Sequence, residues 1–345
     1  MIAITGSSGF LGSAIARFLV AGGKRVVLID INEPPDDLKK SGAIFFKADI
    51  ADRAGMEKAL QGCDTVFHAA ALVPIAKKSF GDFWRVNVDG TENVLRSAFK
   101  CGVKRFIFFS TGLPVYGLKN QMPIREDSSQ NPFDYYGITK YEAEKRCKEW
   151  RKKGLNLSIL RLGTVIGPGR LGSFAMLFNW IKKGKNVYII GNGRNRVQYL
   201  SIKDLLFAVR LIRGAGDNED FNLGAENFGT LAGDLESLIK YAKSNSRIVR
   251  INAGFARTVF SILDFFGLSP FSKLHYATFH LDFYFDIRKA KEKLGWIPED
   301  SNAAMFAGAY DWYLSSAEST AQSGITHNKP MRRGVFKLLD YLPRI

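Results

Sequence analysis

Cysteine is scarce in this chain of 345 residues, and its pattern excludes several kinds of site. The three cysteines, Cys63, Cys101 and Cys147, contain no Cys-x-x-Cys pair and are odd in number. They therefore indicate neither a disulfide framework nor a zinc site of the usual spacing. We expect a reduced, cytoplasmic setting and no metal site.

Long apolar runs are absent as well. A membrane-spanning helix needs about 18 or more consecutive apolar residues, and the nearest candidate, residues 254–271, is interrupted by Arg257 and Asp264. The first predicted strand begins at residue 2, which leaves no room for a signal peptide. With 46% apolar residues and no evident repeat, we expect one large domain or two smaller ones with a substantial core.

Acidic residues are outnumbered, with 33 Asp and Glu against 49 Lys and Arg, for a net charge of +16. The cations cluster at residues 145–153, 182–185 and 329–344. Solvated helix faces, an anionic membrane surface and an anionic substrate each explain such clusters. Because no nucleic-acid recognition motif accompanies the charge, we expect no nucleic-acid partner.

The strongest local pattern lies in the first residues of the chain. An apolar run over residues 2–4 leads into a glycine-rich stretch, and apolar residues then recur at three- and four-residue steps from Phe10 and Leu11 onwards. This pattern predicts a strand, a tight turn and a helix.

Three glycines give that turn a possible function. Gly6 would permit the turn, Gly9 the close approach of a pyrophosphate, and Gly12 the packing of helix on strand. Backbone N–H groups at a helix N-terminus suit a phosphate. An ordinary strand-to-helix turn is the alternative.

A second predicted strand, residues 25–30, ends in a carboxylate. Asp30 lies about twenty residues after the glycine turn, where an acid accepts hydrogen bonds from both hydroxyls of an adenosine ribose. No Lys or Arg follows between Ile31 and Asp37. A 2′-phosphate would meet uncompensated negative charge there, so the sequence favours NAD over NADP.

Further predicted strands over residues 43–47, 65–68, 104–110 and 156–161 alternate with helices. Such alternation predicts an α/β fold with a Rossmann-type, doubly wound parallel sheet. Ligands of these sheets bind at the carboxyl ends of the strands. The polar residues predicted at those ends are Asp30, Asp49, His68, Ser110 and Thr111.

Two of these strand ends suggest specific contacts. Asp49 would reach the adenine amino group, and the small residues Ala69 and Ala70 would let the backbone lie against the cofactor. His68 is either a structural histidine or a catalytic base, and the structural role is favoured. Asn87, in the helix that follows, is either a core amide or a site residue.

Tyr136 and Lys140 are four residues apart at the start of another predicted helix and therefore share one helical face. A lysine ammonium near a phenol favours the phenolate and lowers its pKa. Such a tyrosine takes a proton from a secondary alcohol or returns it to a ketone. Tyr-x-x-x-Lys is common by chance, but its place after the fifth strand of a nucleotide-binding sheet favours the functional interpretation.

The second half of the chain lacks strict alternation. We predict an NAD-binding domain over residues 1–170, to which parts of 195–230 return, a smaller α/β substrate lobe over 171–315, and a basic amphipathic tail over 316–345. The aromatic segment 254–285 is either core, a substrate lid or a lipid-contacting surface. The tail is an interfacial helix, a dimer contact or a frayed end.

These features together resemble the extended short-chain dehydrogenases/reductases, in the NAD-dependent epimerase/dehydratase family. The resemblance extends from residue 1 to about Trp296. Its motifs are Thr5–Gly12, Asp30, Asp49-Ile50, His68–Ala70, Asn87–Asn93, Val115–Gly117, Tyr136-x-x-x-Lys140, Arg161–Gly169 and Lys289–Trp296.

The resemblance implies a catalytic and a cofactor-binding set. Tyr136 would be the general acid/base, Lys140 would hold the nicotinamide ribose, and a hydroxyl of Ser110 or Thr111 would bond the reacting oxygen. Family members often dimerise through two helices, here those starting near Phe80 and Tyr135. The implied NAD contacts are Gly6, Gly9, Phe10, Leu11, Gly12, Asp30, Asp49, Ile50, Ala69, Ala70, Asn87, Tyr136, Lys140, Leu162 and Gly163.

The sequence departs from the family pattern at positions that concern the substrate. Family members usually have a hydroxyl residue at the position that is Gly112 here, which favours Thr111 as its substitute. The Asn that is frequent in the loop after the sixth strand is replaced here by Thr164. Residues 275–286 contain no Arg, whereas sugar-nucleotide members often carry an Arg-rich segment there. This resembles the 3β-hydroxysteroid and sterol dehydrogenase branch.

Two classes of function therefore stay open. The first is an NAD-dependent oxidoreductase whose small-molecule substrate is a nucleotide sugar or a sterol- or isoprenoid-like alcohol. The second is a non-catalytic NAD(P)-sensing protein, which Gly112 favours and the retained Tyr136 and Lys140 disfavour. The basic tail suggests peripheral membrane contact by an otherwise cytoplasmic homodimer.

Overall fold

A computed structural model shows a seven-stranded parallel sheet with helices on its faces, as the sequence predicted. The structure describes residues 1–76, 78–216, 218–265, 276 and 278–320. The sheet order is β3-β2-β1-β4-β5-β6-β10. These strands are β1 (Ile2–Thr5), β2 (Val26–Asp30), β3 (Ile44–Lys47), β4 (Thr65–His68), β5 (Arg105–Thr111), β6 (Leu157–Leu162) and β10 (Asp220–Leu223).

Two further two-stranded parallel sheets lie outside this sheet. β8 (Val187–Ile190) pairs with β11 (Ile248–Ile251), and β7 (Thr164–Ile166) pairs with β9 (Tyr199–Ser201). The helices of the first 165 residues are α1 (Phe10–Ala21), α2 (Asp36–Lys39), α3 (Arg53–Leu60), α4 (Phe80–Trp84), α5 (Thr91–Lys100), α6 (Leu113–Tyr116) and α7 (Tyr135–Lys152). The later ones are α8 (Phe174–Lys182), α9 (Ile202–Gly214), α10 (Leu231–Tyr241), α11 (Ala253–Phe265), α12 (Arg288–Leu294) and α13 (Asn302–Thr320).

The chain divides into two compact units. The first contains Met1–Gly163, Ile202–Leu223 and Asp286–Ile297, and the second the described residues of Thr164–Ser201, Gly224–Phe285 and Pro298–Ile345. The predicted tail lies outside the described residues from position 321 onwards. None of the described helices is both long enough and apolar enough to span a membrane.

The parallel register brings the strand ends to one edge of the sheet. Ile2 pairs with Val26 and with Thr65, so β1 lies between β2 and β4 with their carboxyl ends together. Apolar side chains fill both faces of the central strands, as expected for a sheet covered on both sides. The edge is therefore the part of the sheet where polar groups can gather.

A π-helical segment, Arg85–Gly90, joins α4 to α5. Gly90 ends this segment, and a Cβ placed on it would lie 2.7 Å from the Ile50 side chain. A larger residue would therefore push this helix away from the loop that follows β3.

One buried ion cluster ties three elements of the first unit together. Arg161, the fifth of the six residues of β6, lies 2.7 Å from Glu144 of α7 and 2.9 Å from Asp220 of β10. Its guanidinium also donates to the hydroxyl of Tyr116 over 3.0 Å. Arg161 and Glu144 are fully buried, so neither charge has water to replace its partner.

Replacing Arg161 by Met is expected to destabilise the first unit by about 3–5 kcal/mol, because it leaves the Glu144 carboxylate buried without a cation. The surface pair of Arg17 and Asp37, about half exposed on both sides, provides the control. Arg17→Met is expected to cost no more than about 1 kcal/mol. Urea unfolding measures both, and equal losses would contradict the special role of the buried pair.

Candidate active site

The glycine turn between β1 and α1 is closely packed on one side and open on the other. Gly6 has φ +70°, and a Cβ on it would lie 2.6 Å from the N atom of Ala70. A Cβ on Gly12 would lie 2.1 Å from the carbonyl oxygen of Gly6. A Cβ on Gly9 would meet only that same oxygen, at 3.2 Å, so the backbone at Gly9 can approach a ligand closely.

The N-terminus of α1 is available for an anion. Gly9 is its N-cap, and no described side chain caps it. The first-turn N–H groups of α1, beginning at Phe10 and Leu11, therefore point towards the open side of the turn. Such N–H groups are suited to a pyrophosphate, and the assignment of this turn to the cofactor stays a prediction.

Two carboxylates flank the turn at the adjacent strand ends. Asp30 accepts hydrogen bonds from the backbone N–H groups of Ser8, over 3.0 Å, and Asn32, over 2.9 Å. Asp49 accepts from the N–H of Ala51 over 2.9 Å and from Arg85 over 3.0 Å. Burial acts to raise the pKa of Asp49, but these two partners outweigh it and hold the pKa below its usual range.

His68 lies inside the first unit rather than at an open edge. Its Nδ1 is 2.6 Å from the hydroxyl of Thr5 and its Nε2 is 3.0 Å from that of Thr91. Complete burial, with a contribution from the Lys140 ammonium, lowers the pKa of His68 to about 3. A neutral ring with both nitrogens engaged agrees with the structural role favoured from the sequence.

Asn87 joins the loop after β4 to α7. Its amide oxygen accepts from the N–H of Leu72 over 2.8 Å, and its amide nitrogen donates to the Leu72 carbonyl and to the hydroxyl of Thr139, each over 3.1 Å. Thr139 stands directly before Lys140 in the sequence. Asn87 therefore positions the helix that carries Tyr136.

The remaining predicted NAD contacts lie at the same edge, and several of their backbone groups are engaged. The N–H groups of Ala69 and Ala70 donate to the carbonyl oxygen and hydroxyl of Thr5. Leu162 accepts from Gly112, and Gly163 donates to Leu223. The assignment of Ala69, Ala70, Ile50, Leu162 and Gly163 to the cofactor stays a prediction.

Lys140 is a buried cation on α7, one turn after the half-buried Tyr136. Its ammonium donates to the carbonyl oxygen of Phe109 over 2.7 Å and lies 3.9 Å from the centre of the Phe108 ring. Burial lowers the pKa of Lys140 to about 8, against the opposing influence of Cys147 and Glu144. The carboxylate of Asp134 caps α7 through the N–H of Gly137 over 2.9 Å.

The two hydroxyl residues at the end of β5 differ in their surroundings. Ser110 is buried and donates to Glu144 over 2.5 Å. The hydroxyl of half-buried Thr111 makes no hydrogen bond to any described residue. Neighbouring strand residues face opposite sides of the sheet. Ser110 therefore faces α7, and Thr111, at the end of β5, faces the opposite side. The catalytic role of either residue stays a prediction.

Sequence reasoning missed three residues that shape this edge: Arg85, Glu144 and Arg161. A signal for two of them was present. Arg161 is the one charged residue in its strand, and Glu144 lies one turn beyond Lys140 on the same helical face. A charge in a buried strand needs a buried partner. Arg85 carries no such signal, because its contact with Asp49 depends on the π-helical segment.

Comparison with known proteins identifies the family. The model of the NAD dependent epimerase/dehydratase family matches residues 2–224. The chain belongs to this family. It is therefore an NAD-dependent enzyme of the epimerase/dehydratase type, as the sequence predicted, and the glycine turn with its flanking carboxylates fits that cofactor.

Individual relatives span several chemistries. The uncharacterized protein y4nG of Sinorhizobium fredii is 33% identical over 99% of this chain and 86% of its own length. Human sterol-4-alpha-carboxylate 3-dehydrogenase is 29% identical over 65% of this chain and 60% of its own length. The structure of Thermotoga maritima UDP-glucose 4-epimerase with UDP-glucose is similar, with a TM-score of 0.77 and 27% identity over 91% of this chain and 99% of that one.

Acid sensitivity provides a test of the buried histidine. The unfolded chain binds a proton at His68 below about pH 6.5, but the folded chain does so only near pH 3. The unfolded state binds more protons in that interval, so stability decreases as the pH falls from 6.5 towards 3, by about 1.4 kcal/mol per unit.

We expect His68→Gln to lose less stability between pH 7 and pH 4.5 than the parent chain, by about 2–3 kcal/mol. Urea unfolding at both pH values measures this difference. His280→Gln, at the other histidine among the described residues, is the control. The same acid sensitivity in the parent and in His68→Gln would refute the buried neutral ring.

Proposed function

We propose that the chain transfers a hydride between NAD and a secondary alcohol or its ketone, with Tyr136 as the general acid/base. NAD, when bound, supplies the group that takes or gives the hydride. The observation that carries the proposal is the one-turn spacing of Tyr136 and the buried Lys140. A cation beside the phenol favours the phenolate, so Tyr136 can take the proton of an alcohol or return it to a ketone.

The chain's own groups also orient the reaction. Lys140 is held in place by the Phe109 carbonyl, and the same ammonium can hold the nicotinamide ribose. Ser110 donates its hydrogen to Glu144, so we assign the second hydroxyl role to Thr111, at the last position of β5. Asp30 is placed to accept the ribose hydroxyls, which favours NAD over NADP.

The favoured substrate is a hydrophobic secondary alcohol of the sterol or isoprenoid kind. Residues 278–286 contain three Phe, one Tyr and two Asp, and no Lys or Arg. Asp282 accepts from the N–H of Arg196, and Asp286 pairs with Arg288 at 2.5 Å. Phe283 and Phe285 are buried. The resemblance leads us to expect Arg in this segment in sugar-nucleotide members, and its absence here favours an uncharged substrate.

A nucleotide sugar is the second candidate. The similarity to the Thermotoga maritima UDP-glucose 4-epimerase, over 91% of this chain, favours it. The positive net charge agrees with an anionic substrate.

We also propose that the enzyme forms a homodimer through the faces of α4, α5 and α7. Phe80 and Tyr135 are exposed yet contact each other, with ring centres 5.2 Å apart, and Phe99 of α5 is exposed as well. Exposed aromatic side chains on adjacent helices are typical of an interface. Light scattering of the full chain tests this, because a monomeric mass would contradict it.

Tyr136→Phe is expected to reduce the rate of hydride transfer at least about 100-fold, since it removes the proton donor and acceptor. Tyr135→Phe is the matched control, because it removes the same phenolic hydroxyl from the exposed ring of the preceding residue. NADH absorbance with the alcohol identified below measures the rate, and NAD binding should survive in both variants. Full activity of Tyr136→Phe would disprove the proposed mechanism.

Thermal shifts in the presence of NAD separate the two substrate classes. A ligand at about 100 times its dissociation constant stabilises the fold by about 2.7 kcal/mol. We expect a rise in Tm with a sterol or isoprenoid alcohol and none with UDP or UDP-glucose. Stabilisation by UDP alone would overturn the favoured substrate and support the second.

The basic tail gives a further prediction. We propose that it contacts anionic membranes, because residues 329–344 mix Lys and Arg with Phe336, Leu338 and Leu339. A full-length variant with Gln at Lys329, Arg332, Arg333, Lys337 and Arg344 is expected to bind phosphatidylglycerol vesicles more weakly than the parent. Unchanged vesicle sedimentation would contradict the tail contact.

A further inference from the structure

Lys140 is a buried cation that lies against the face of an aromatic ring. The residue is 3% exposed, and its ammonium lies 3.9 Å from the centre of the Phe108 ring. The same ammonium donates to the carbonyl oxygen of Phe109 over 2.7 Å. Glu144, one turn further along α7, pairs with Arg161 instead, at 2.7 Å. A ring and a carbonyl oxygen therefore hold this charge where a carboxylate would be expected.

The titratable groups around Lys140 do not replace that ring. Those that act on its charge are Glu144 and Cys147, on the same face of α7. Arg161 of β6 already balances the charge of Glu144. Burial raises the pKa of Cys147 well above its usual range, so the thiol is uncharged at neutral pH. His68 of β4 is neutral as well, because its pKa is lowered to about 3.

The Phe108 ring is in the surroundings where a cation–π contact is strongest. An aromatic ring carries negative charge density on its faces and therefore stabilises an ammonium more than a neutral amine. The attraction increases when water is excluded, and Phe108 is fully buried. Such a contact changes a pKa by about one unit or more. It opposes the burial that lowers the pKa of Lys140 to about 8.

We propose that the face of the Phe108 ring keeps Lys140 in its charged form at neutral pH and thereby supports Tyr136 as the general acid/base. Phe108 acts through Lys140 and is therefore a positioning residue. Its catalytic consequence rests on the function proposed above, whereas its effect on the charge of Lys140 does not. The two parts can therefore be tested separately.

Phe106 provides a matched control on the same strand. Residues two apart along a strand face the same side, and Phe106 and Phe108 are both fully buried. Their ring centres lie 5.9 Å and 5.7 Å from that of His68. Of the two rings, the Lys140 ammonium lies over that of Phe108. Either Phe→Leu change removes the same atoms from the core, but only Phe108→Leu removes the ring beside the cation.

Urea unfolding at several pH values tests the charge of Lys140 without the reaction. The unfolded chain keeps Lys140 protonated up to its ordinary pKa of 10.5, but the folded chain does so only up to about 8. The unfolded state binds more protons in that interval, so stability rises with pH there. Phe108→Leu is expected to lower the folded pKa, so that this rise begins about one pH unit lower.

The expected result is a change in the ratio of folded to unfolded molecules. Between pH 6.5 and pH 8.5 this ratio should increase about fivefold more in Phe108→Leu than in the parent. Phe106→Leu should follow the parent. In a chain that carries Lys140→Met, which removes the titrating group, adding Phe108→Leu should change nothing in the pH dependence.

Three results of this experiment would overturn the proposal. The first is a parental pH dependence in Phe108→Leu. The second is an equal change in Phe106→Leu, because loss of core packing would then be the cause. The third is a difference that persists in the Lys140→Met chain, because another group would then be titrating.

Fluorination separates the charge distribution of the ring from its volume. Trifluorophenylalanine at position 108 nearly keeps the shape of the ring but withdraws electrons from its faces, which weakens the attraction for a cation. It is expected to move the pH dependence of stability in the same direction as Phe108→Leu. The same residue at position 106 should have no effect. An unchanged pH dependence with the fluorinated ring at 108 would overturn the proposal whether or not Phe108→Leu folds.

The pH profile of alcohol oxidation tests the catalytic part, with the alcohol identified by the thermal shifts. On the acid side, Phe108→Leu is expected to lose activity at a pH at least about half a unit higher than the parent does, because a neutral Lys140 no longer favours the Tyr136 phenolate. Phe106→Leu should keep the parental profile. An unchanged profile in Phe108→Leu would refute the support of Tyr136. Absence of hydride transfer in the parent, with the stability results as expected, would refute the proposed function and support the effect of Phe108 on Lys140.

Discussion

The first unit depends on Arg161, a charged residue that is buried within its sheet. Arg161 stands in β6, between β5 and β10, where both faces of the sheet are covered. Its guanidinium can stay there only because Glu144 and Asp220 come to it from a helix and a neighbouring strand. The cluster therefore fixes α7 against the end of β5, and α7 is the helix that carries Tyr136 and Lys140.

This arrangement has a direct consequence for the site. Glu144 uses one oxygen to accept from Ser110, so the hydrogen of this hydroxyl is already engaged, and its catalytic role stays a prediction. Lys140 is in the opposite situation, since no described carboxylate forms an ion pair with it. A carbonyl oxygen and an aromatic ring hold its ammonium, and burial lowers its pKa to about 8. A strongly perturbed lysine at the ligand edge of the sheet is typical of a functional site.

The aromatic segment 254–285 contributes side chains both to the core and to the surface. Phe260, Tyr276, Phe283 and Phe285 are core residues, whereas Phe255 and Phe265 face outwards. Core and surface had been alternatives from the sequence, and the described residues contain both. Phe266 and Phe271 lie outside the described residues. The spacing of residues along α11 distinguishes core from surface positions only once it is known which face of the helix packs against the core.

Local chemistry was enough to predict the glycine turn, the order of strand and helix, the carboxylates at the strand ends and the Tyr136–Lys140 pair. Each of these depends on spacing within one element or across one turn. Tertiary structure alone decided which side chains were already engaged. His68 is satisfied by Thr5 and Thr91, Asn87 by Leu72 and Thr139, and Ser110 by Glu144. These partners are distant in sequence, and hydrogen bonds between distant segments leave no periodic pattern from which they could be predicted.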